Sequence, residues 1–436
     1  MCSELFRIPL AWKGVPLWGC GALFWIGIAV GLASLRRAAR QEGWSAAAAA
    51  QLPSWIVVAA VIGFLPRYFP GGVPIRGYGL MVLCGASAGI VMALRQGRRW
   101  GVDESILMGV AGALFAGGLV GARLFYVVEY WDARIRQLAP DGRVDWPATI
   151  KQALSYTEGG LVIYGAFLGA MAAFAWYCRR RRLNGWALAD LIAPSMLAGL
   201  ALGRIGCLLN GCCYGGETSL PWAVTFPQQN APQTLSMPYR DQAARGRFHG
   251  MTLGRLPRLA GAPGIVDVAP DSPAGRAGLQ AGTPVLAING LRTESLEQAE
   301  QTVFEAVLAG EPLRIATDGG REFIVAGQPP PARSLPVHPA QIYSALSAAL
   351  LAWLLWEYYP FRKRDGQVVT LMLLLHPIDR FLLEIIRIDE LPVFGTGMSI
   401  SQNISLVLFA LALVQWVRLQ RRPAGQLAFQ PATRAA

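Results

Sequence analysis

Long apolar segments constrain the fold of this chain more than any other feature. Nine of them are long enough to cross a bilayer as a helix, which takes about 20 residues. They lie near residues 15–35, 53–70, 76–95, 105–130, 159–178, 186–207, 338–359, 366–388 and 398–418. With 53% hydrophobic and 15% charged residues, most of the chain must face lipid or other helices. We therefore predict an all-α polytopic membrane protein with about nine transmembrane helices.

Basic residues predict the orientation of these helices. Arginine and lysine clusters follow the first, third, fifth, seventh and ninth segments, near residues 36–40, 95–99, 179–182, 362–364 and 418–422. The positive-inside rule makes all five ends cytoplasmic, so the N-terminus is periplasmic and the C-terminus cytoplasmic. Arg36, Arg37 and Arg40 directly follow the first segment, which is typical of a stop-transfer sequence rather than a cleavable signal. The net charge of +12 belongs to these helix ends, so no nucleic acid partner is expected.

A soluble insert interrupts the apolar pattern between residues 208 and 337. We predict strands at 264–268, 284–290, 312–317 and 321–326, a short helix at 271–279, and a helix from Ser295 to Leu308. The motif SPAGRAGLQAG at 272–282, followed by VLAING at 285–290, resembles a bacterial periplasmic PDZ domain spanning about 255–328. This α+β insert is interpreted as periplasmic. Peptide capture by strand addition and a docking or spacing role remain open alternatives for it.

Several ionisable residues fall at membrane depth, where an arginine costs roughly 3 kcal/mol. They are Arg123, Asp190, Arg204, His376, Arg380, Glu384 and Arg387. Asp190 and Arg204 share one helix, about 21 Å apart along its axis. Such groups usually face a cavity and pair with one another, so one interpretation is a set of salt bridges that fix helix register. The other is an anion site, because two acids cannot neutralise four arginines and a guanidinium binds phosphate well.

Separated motifs carry a family resemblance. They are Arg76–Leu80, Gly121–Leu124, Gly159–Gly165, Asp190, Gly203–Gly206, Asn210–Gly211, Tyr214–Gly215, Pro221–Trp222, His338–Tyr343, and Arg380, Phe381, Glu384 and Arg387. In this order they resemble the prolipoprotein diacylglyceryl transferase family of bacterial inner membranes, whose seven-helix core would span 76–418.

The resemblance implies a domain organisation. Two extra N-terminal helices occupy 1–72, the transferase-like core 73–230 and 336–420, the periplasmic insert 231–335, and a cytoplasmic tail 421–436.

The resemblance also implies a reaction and a set of site residues. The family moves the diacylglyceryl group of phosphatidylglycerol onto the lipobox cysteine thiol of a prolipoprotein signal peptide, with no cofactor. Membrane lipids and a ligand of the insert are the further partners expected. Arg204 and Arg380 match the essential phosphate-side residues, and Tyr164 and Glu384 complete the expected catalytic group. The expected substrate-binding residues are Tyr78, Gly79, Arg123, Gly165, Asp190, Gly206, Cys207, Asn210, Gly211, Gly215, His338, Gln341, Tyr343, His376 and Arg387.

Three positions depart from the family pattern. Tyr164 stands where a histidine is usual, Cys207 where asparagine is usual, and Cys212 where glutamate is usual. A phenol, with a pKa near 10, is a poor base at neutral pH, whereas an imidazole is a good one. His376 is a candidate replacement base, and the alternative is a packed histidine. A phospholipid- or precursor-binding protein of the same fold, without transfer activity, is therefore the alternative function.

Cys207, Cys212 and Cys213 form a local cluster in the sequence. A Cys207–Cys212 disulfide and simple packing are the two alternatives. No metal site is expected, because no nearby motif supplies a fourth zinc ligand. A zinc membrane protease is excluded by the missing His-Glu-x-x-His motif, and Gly85–Gly89, which imitates a serine-protease elbow, is typical of ordinary helix packing.

Overall fold

A computed structural model describes residues 4–140, 142–155, 160–228, 235–256, 261–388, 392–393 and 395–425. Gly159 of the family motif and most of the predicted tail lie outside these residues. The chain divides into two compact units, one formed by 1–81 and 206–337 and the other by 82–205 and 338–436. We describe each unit by itself.

Helices dominate both units. They are α1 (Ala22–Glu42), α2 (Trp44–Tyr68), α3 (Gly77–Arg99), α4 (Glu104–Glu129), α5 (Trp146–Leu154), α6 (Ile163–Arg181), α7 (Gly185–Asn210), α8 (Met237–Ala244), α9 (Pro273–Arg276), α10 (Leu296–Ala309), α11 (Ala340–Tyr358), α12 (Gln367–Ile385) and α13 (Ile400–Gln420). The strands are β1 (Glu4–Ile8), β2 (Ala11–Trp12), β3 (Val15–Pro16), β4 (Val73–Arg76), β5 (Met251–Leu256), β6 (Ala262–Val268), β7 (Ala287–Ile288), β8 (Leu291–Arg292), β9 (Leu313–Ala316) and β10 (Glu322–Val325).

Each predicted apolar segment contains a helix, and among the described residues five helices are long and apolar enough to cross a membrane. These five are α1, α3, α4, α7 and α13. A mostly helical polytopic membrane protein is therefore confirmed, while the count of nine spans stays a prediction. The first helix begins at Ala22 rather than near residue 15, because β2 and β3 form a hairpin whose turn holds Lys13 and Gly14 at positive φ.

Close helix packing builds the second unit. Helix α4 packs along α6, and α12 packs against α11 and α13. A Cβ on Gly121 of α4 would clash with the carbonyl oxygen of Gly165 on α6, so the contact requires the small residues that membrane helices commonly place at such crossings. A buried core formed by Tyr177, Leu188, Leu191 and Leu355 fills the same unit.

The insert belongs to the first unit and has its own core. Strands β5 and β6 pair antiparallel, and a separate sheet has the order β10-β9-β7-β8. Helix α10 contributes Val303 and Val307 to the core beneath them. The predicted Asn289–Gly290 turn joins β7 to β8 with both residues at positive φ, the geometry that a two-residue hairpin requires.

The sequence did not predict two elements of the insert, α8 and β5. Helix α8 has a polar sequence without a distinct apolar face, and β5 carries Gly254 and Arg255 in place of a regular alternation. The predicted strands, turn and helices after residue 262 all occur. The PDZ assignment itself stays a prediction.

Candidate functional site

Arg204 lies on α7, six residues before the helix ends at Asn210, which places it about 9 Å from the C-terminal end of the helix. Its Nε atom is buried and has no hydrogen-bond partner among the described residues. The Arg204 guanidinium also makes no ion pair with any of the described residues. A buried donor without a partner costs free energy, more when the group is charged, so an acceptor that reached this atom would stabilise it.

Arg380 is held in place on α12. Its Nη2 atom lies 2.9 Å from Glu384 Oε2 and donates a hydrogen bond of 2.8 Å to Ser401 Oγ on α13. Arg387 follows the helix end and still approaches Glu384, with 3.7 Å between Nη1 and Oε2. The Glu384 side chain is 3% exposed. The side chains of Arg380, Glu384 and Arg387 therefore come together around one buried carboxylate.

The two key arginines share an electrostatic neighbourhood. The charges of Arg204 and Arg380 both act on His376 and on Asp379. His376 Nδ1 lies 3.9 Å from Asp379 Oδ2, and Asp379 also interacts with Ser347 of α11. Helices α7, α11, α12 and α13 thus each contribute polar groups to one region of the second unit.

A charge count indicates what this region can bind. The described charged groups are three arginines (204, 380 and 387) and two carboxylates (379 and 384), which leaves one positive charge when His376 is neutral. A monoanion such as a phosphodiester would neutralise it. It would also supply oxygen acceptors for guanidinium donors, which bind phosphate in a planar, bidentate way.

Arg123 and Asp190 are committed to other contacts. Arg123 is 4% exposed and donates hydrogen bonds to the carbonyl oxygens of Ala153 (2.8 Å), Gly160 (3.1 Å) and Gln152 (2.6 Å). Asp190 accepts hydrogen bonds from the backbone amides of Gly366 (2.7 Å) and Val369 (2.8 Å), which caps the N-terminus of α12. These contacts hold the backbone at the end of α5, at Gly160 and at the start of α12. The predicted substrate-binding roles of both residues stay predictions.

Tyr164 begins the first turn of α6 and is 40% exposed. It makes no hydrogen bond or ion pair with the residues that the structure describes. Gly165 lies in the α4–α6 contact, which accounts for its small size. The catalytic role predicted for Tyr164 therefore has no supporting contact here and stays a prediction.

The motif at the start of α11 is compact. The rings of His338 and Tyr343 meet edge to face with centroids 6.3 Å apart, and Gln341 is 1% exposed. His338 Nδ1 is buried without a hydrogen-bond partner in the described ranges. The three residues form a polar group at the N-terminus of α11, and their substrate-binding role stays a prediction.

The remaining predicted residues lie in the first unit. A Cβ on Gly206 would come within 3.3 Å of the Tyr78 side chain, and Tyr78 itself is 45% exposed. Gly79 has open space around its Cα. Asn210 ends α7, Gly211 has a φ of +72° and lies against Ser236, and Gly215 is buried. Cys207 lies beside Cys212 and Cys213.

Sequence analysis missed three residues of the charged region: Asp379, Ser401 and Ser347. Asp379 carries a signal that could have revealed it, because it lies three residues after His376 and next to Arg380 on one helix. The two serines carry none, since they reach the site from other helices.

Comparison with known proteins agrees with the geometry. The family model for prolipoprotein diacylglyceryl transferase matches residues 66–418. A Rhodopirellula baltica protein named phosphatidylglycerol–prolipoprotein diacylglyceryl transferase is 32% identical over 453 aligned positions, 95% of this chain and 88% of that protein.

Two relatives with the same name come from Synechococcus elongatus and Clostridium tetani. They are 34% and 32% identical over 37% and 36% of this chain, and the matched regions span 52% and 57% of their own lengths. The predicted transferase class is thereby confirmed. The chain belongs to the prolipoprotein diacylglyceryl transferase family.

Proposed function

We propose that this protein transfers the diacylglyceryl group of phosphatidylglycerol to the lipobox cysteine of a prolipoprotein. The observation that carries the proposal is the buried, unsatisfied Nε of Arg204 in a region with one excess positive charge. The cysteine sulfur attacks the glyceryl carbon and a C–S bond forms. The C–O bond to the phosphate breaks, and glycerol phosphate leaves with the electron pair.

Arg204 and Arg380 act on the leaving phosphate. Negative charge grows on the departing oxygen, and fixed donors aimed at such an oxygen typically contribute 10²–10³-fold in rate each. Glu384 and Ser401 hold the Arg380 guanidinium from two sides, so it needs little reorganisation during the reaction. Arg204, whose Nε has no hydrogen-bond partner among the described residues, is the donor proposed for the lipid phosphate.

His376 is the proposed base for the thiol proton. The attacking species is the thiolate, while a free thiol has a pKa of about 8.5, so removing the proton increases the reactive fraction. His376 lies in the field of both arginines and beside Asp379, which can orient the imidazole. Tyr164 has no comparable partner in the described part of the chain.

An apolar groove next to Arg380 supports lipid binding. It lies between α12 and α13 and is lined by Pro377, Ile378, Phe381, Leu382, Ser405, Leu406 and Phe409. A lipid whose phosphate meets Arg380 can place part of an acyl chain along this groove, where van der Waals contacts with the protein replace those with neighbouring lipids.

A transfer assay tests the function directly. The purified full chain is incubated with phosphatidylglycerol vesicles and a lipobox peptide, and thioether product and glycerol phosphate are measured. We expect both products from the wild type and a loss of at least 10²-fold in the transfer rate of Arg204→Ala. The control is Arg180→Ala, which changes an exposed arginine in the last turn of α6 and should leave the rate near normal. Peptide and lipid binding without product would support the binding-protein alternative, and an active Arg204→Ala would overturn the role of Arg204.

We also propose that the chain lies in a bacterial inner membrane with nine spans, its N-terminus and insert periplasmic and its C-terminus cytoplasmic. The alternating basic clusters support this orientation. Alkaline phosphatase fused after Gly320, in the insert, should be active, and green fluorescent protein fused after Gly425 should fluoresce. The opposite pattern would reverse the topology.

For the insert, we propose a docking role. A peptide that paired with the edge of β5 opposite β6 would need hydrogen bonds from the backbone amides of β5 on that edge. Met251 N already donates to Gly246 O (3.2 Å), and Leu253 N donates to Arg245 O (2.9 Å). Helix α8, just before these residues, packs against α10 and buries Ala243 completely. The chain itself therefore covers this edge of β5.

Polar contacts fix this covering segment to the chain that follows α7. Tyr214 donates a hydrogen bond to Asp241 Oδ2 (2.6 Å), and Arg247 makes two hydrogen bonds to Glu217 (2.9 and 2.6 Å). The Glu217 carboxylate raises the pKa of Arg247. Arg247→Met should accelerate amide exchange at 214–217, with Arg255→Met as a matched control. Protection of β5 amides by added extended peptides would instead support peptide capture.

A further inference from the structure

The three cysteines at the end of α7 come together in space. The Sγ atoms of Cys207, Cys212 and Cys213 all lie within 4.8 Å of one another. All six described cysteines are thiols, and the other three, Cys20, Cys84 and Cys178, do not join this group. We call Cys207, Cys212 and Cys213 the thiol cluster.

The backbone turns sharply to form the thiol cluster. Helix α7 ends at Asn210, Gly211 has a φ of +72°, and the Cys212 amide donates to the Cys207 carbonyl oxygen at 3.1 Å. Cys213 then has a φ of +57°, a left-handed conformation that costs an L-residue roughly 1–2 kcal/mol. This turn brings both later sulfurs back to the first one.

Packing alone does not explain the arrangement. The three side chains are part-buried, while the small apolar core of this region consists of Tyr214, Phe226 and Val337. A cysteine in the left-handed conformation adds strain, whereas glycine would have met the backbone requirement without strain.

We propose that the thiol cluster is a binding site for a soft monovalent d¹⁰ cation, of which Cu(I) is the biological example. Thiolate sulfur is the donor that such ions prefer. Metal–thiolate bonds of about 2.3 Å place three sulfurs of a planar site about 4 Å apart, so the cluster needs to contract by less than about 1 Å. Each thiol loses its proton to solvent when the ion binds.

The number of ligands separates Cu(I) from zinc. Structural zinc takes four ligands, and no fourth histidine, cysteine or carboxylate joins the group in the described chain. The sequence-based expectation of no metal site was based on this missing ligand. A cation that accepts three sulfurs does not need it.

Binding would link the end of α7 to the turn that follows it. Cys207 belongs to the helix, and the other two residues belong to the chain beyond Gly211. A bound ion would therefore connect the helix to the turn through metal–sulfur bonds. An ion that binds the folded state alone stabilises it in proportion to the logarithm of its concentration over Kd.

A competition titration tests the proposal. The full chain, purified in detergent under reducing, oxygen-free conditions, competes for Cu(I) with bathocuproine disulfonate. We expect one Cu(I) per chain, at least tenfold weaker binding in Cys207→Ser and Cys212→Ser, and unchanged binding in the controls Cys84→Ser and Cys178→Ser. X-ray absorption of the loaded wild type should give three sulfur neighbours, a result that does not depend on the folding of any variant.

Three results would overturn the assignment. The first is Cu(I) affinity that the Cys207 and Cys212 substitutions leave unchanged. The second is a disulfide within the cluster in protein isolated with thiols trapped by alkylation. The third is stoichiometric Zn²⁺ binding that Cu(I) fails to displace.

Discussion

Arg380 and Glu384, one helical turn apart on α12, form an ion pair of 2.9 Å in which the carboxylate side chain is 3% exposed. Arg387 approaches the same carboxylate oxygen at 3.7 Å. One acid therefore compensates two guanidinium groups, while the carboxylate whose charge acts on Arg204 in the described chain is Asp379. This relationship fixes the Arg380 guanidinium, which also donates a hydrogen bond to Ser401.

Glu384→Gln should destabilise the second unit. The substitution leaves two poorly exposed guanidinium groups without their carboxylate, and breaking a buried pair in this way typically costs about 3–5 kcal/mol. Thermal unfolding in detergent would measure the loss. The double variant Glu384→Gln/Arg387→Gln should recover part of it, because one uncompensated charge is gone, and equal stability of the single variant and the wild type would contradict the pairing.

His376→Asn should slow lipid transfer by about 10²–10⁴-fold, the range that a general base contributes. Phosphatidylglycerol binding should persist, since both arginines remain. The comparison is Tyr164→Phe, which removes the phenol at the position where the family usually has histidine and should change the rate little. A strong loss in Tyr164→Phe with an active His376→Asn would make Tyr164 the base instead.

Asp190→Leu should loosen the N-terminus of α12. The amides of Gly366 and Val369 lose their acceptors, and each buried amide left without one costs about 1–3 kcal/mol. Hydrogen exchange should rise at residues 366–370. Asp190→Asn, which keeps one acceptor oxygen, should have a smaller effect, and unchanged exchange in Asp190→Leu would refute the capping role.

The insert should lose stability in mild acid because of His249. This side chain is 1% exposed, and burial lowers its pKa below the ordinary value near 6.5. The folded state then binds a proton less readily than the unfolded state. Stability is therefore complete above pH of about 6.5 and falls below it, by at most about 1.4 kcal/mol per pH unit.

Amide exchange of the insert between pH 7.5 and 5.5, corrected for intrinsic rates, would detect this loss. His249→Gln should remove most of the pH dependence, because glutamine does not titrate. The helices of the second unit serve as the internal reference. A pH dependence that survives in His249→Gln would assign it to another group.

The sequence predicted the local elements well, for identifiable reasons. Helices such as α3 and α13 follow from apolar length alone, and the β7–β8 turn follows from Asn289 and Gly290, which tolerate positive φ. Arg380, Glu384 and Arg387 follow one another after four and three residues, the spacing that places side chains on one face of a helix. The family match confirmed the resemblance that separated motifs had indicated.

Contacts between segments that are distant along the chain could not be predicted from the sequence. Ser401 and Ser347 reach the charged region from α13 and α11, and nothing in their local sequence marks them. Likewise, Asp190 could have been a lipid ligand or a salt-bridge partner, and only the approach of the α12 N-terminus makes it a helix cap. The edge of β5 is covered because residues 245–246 fold back onto it.

The amino-acid sequence by itself determined that this chain is a helical membrane protein, which family it resembles and which side chains are charged at depth. These properties depend on composition and on spacing along one helix. The tertiary structure decided which arginine is already paired and which is unsatisfied, because a guanidinium is neutralised by groups within a few ångströms, whatever their distance along the chain.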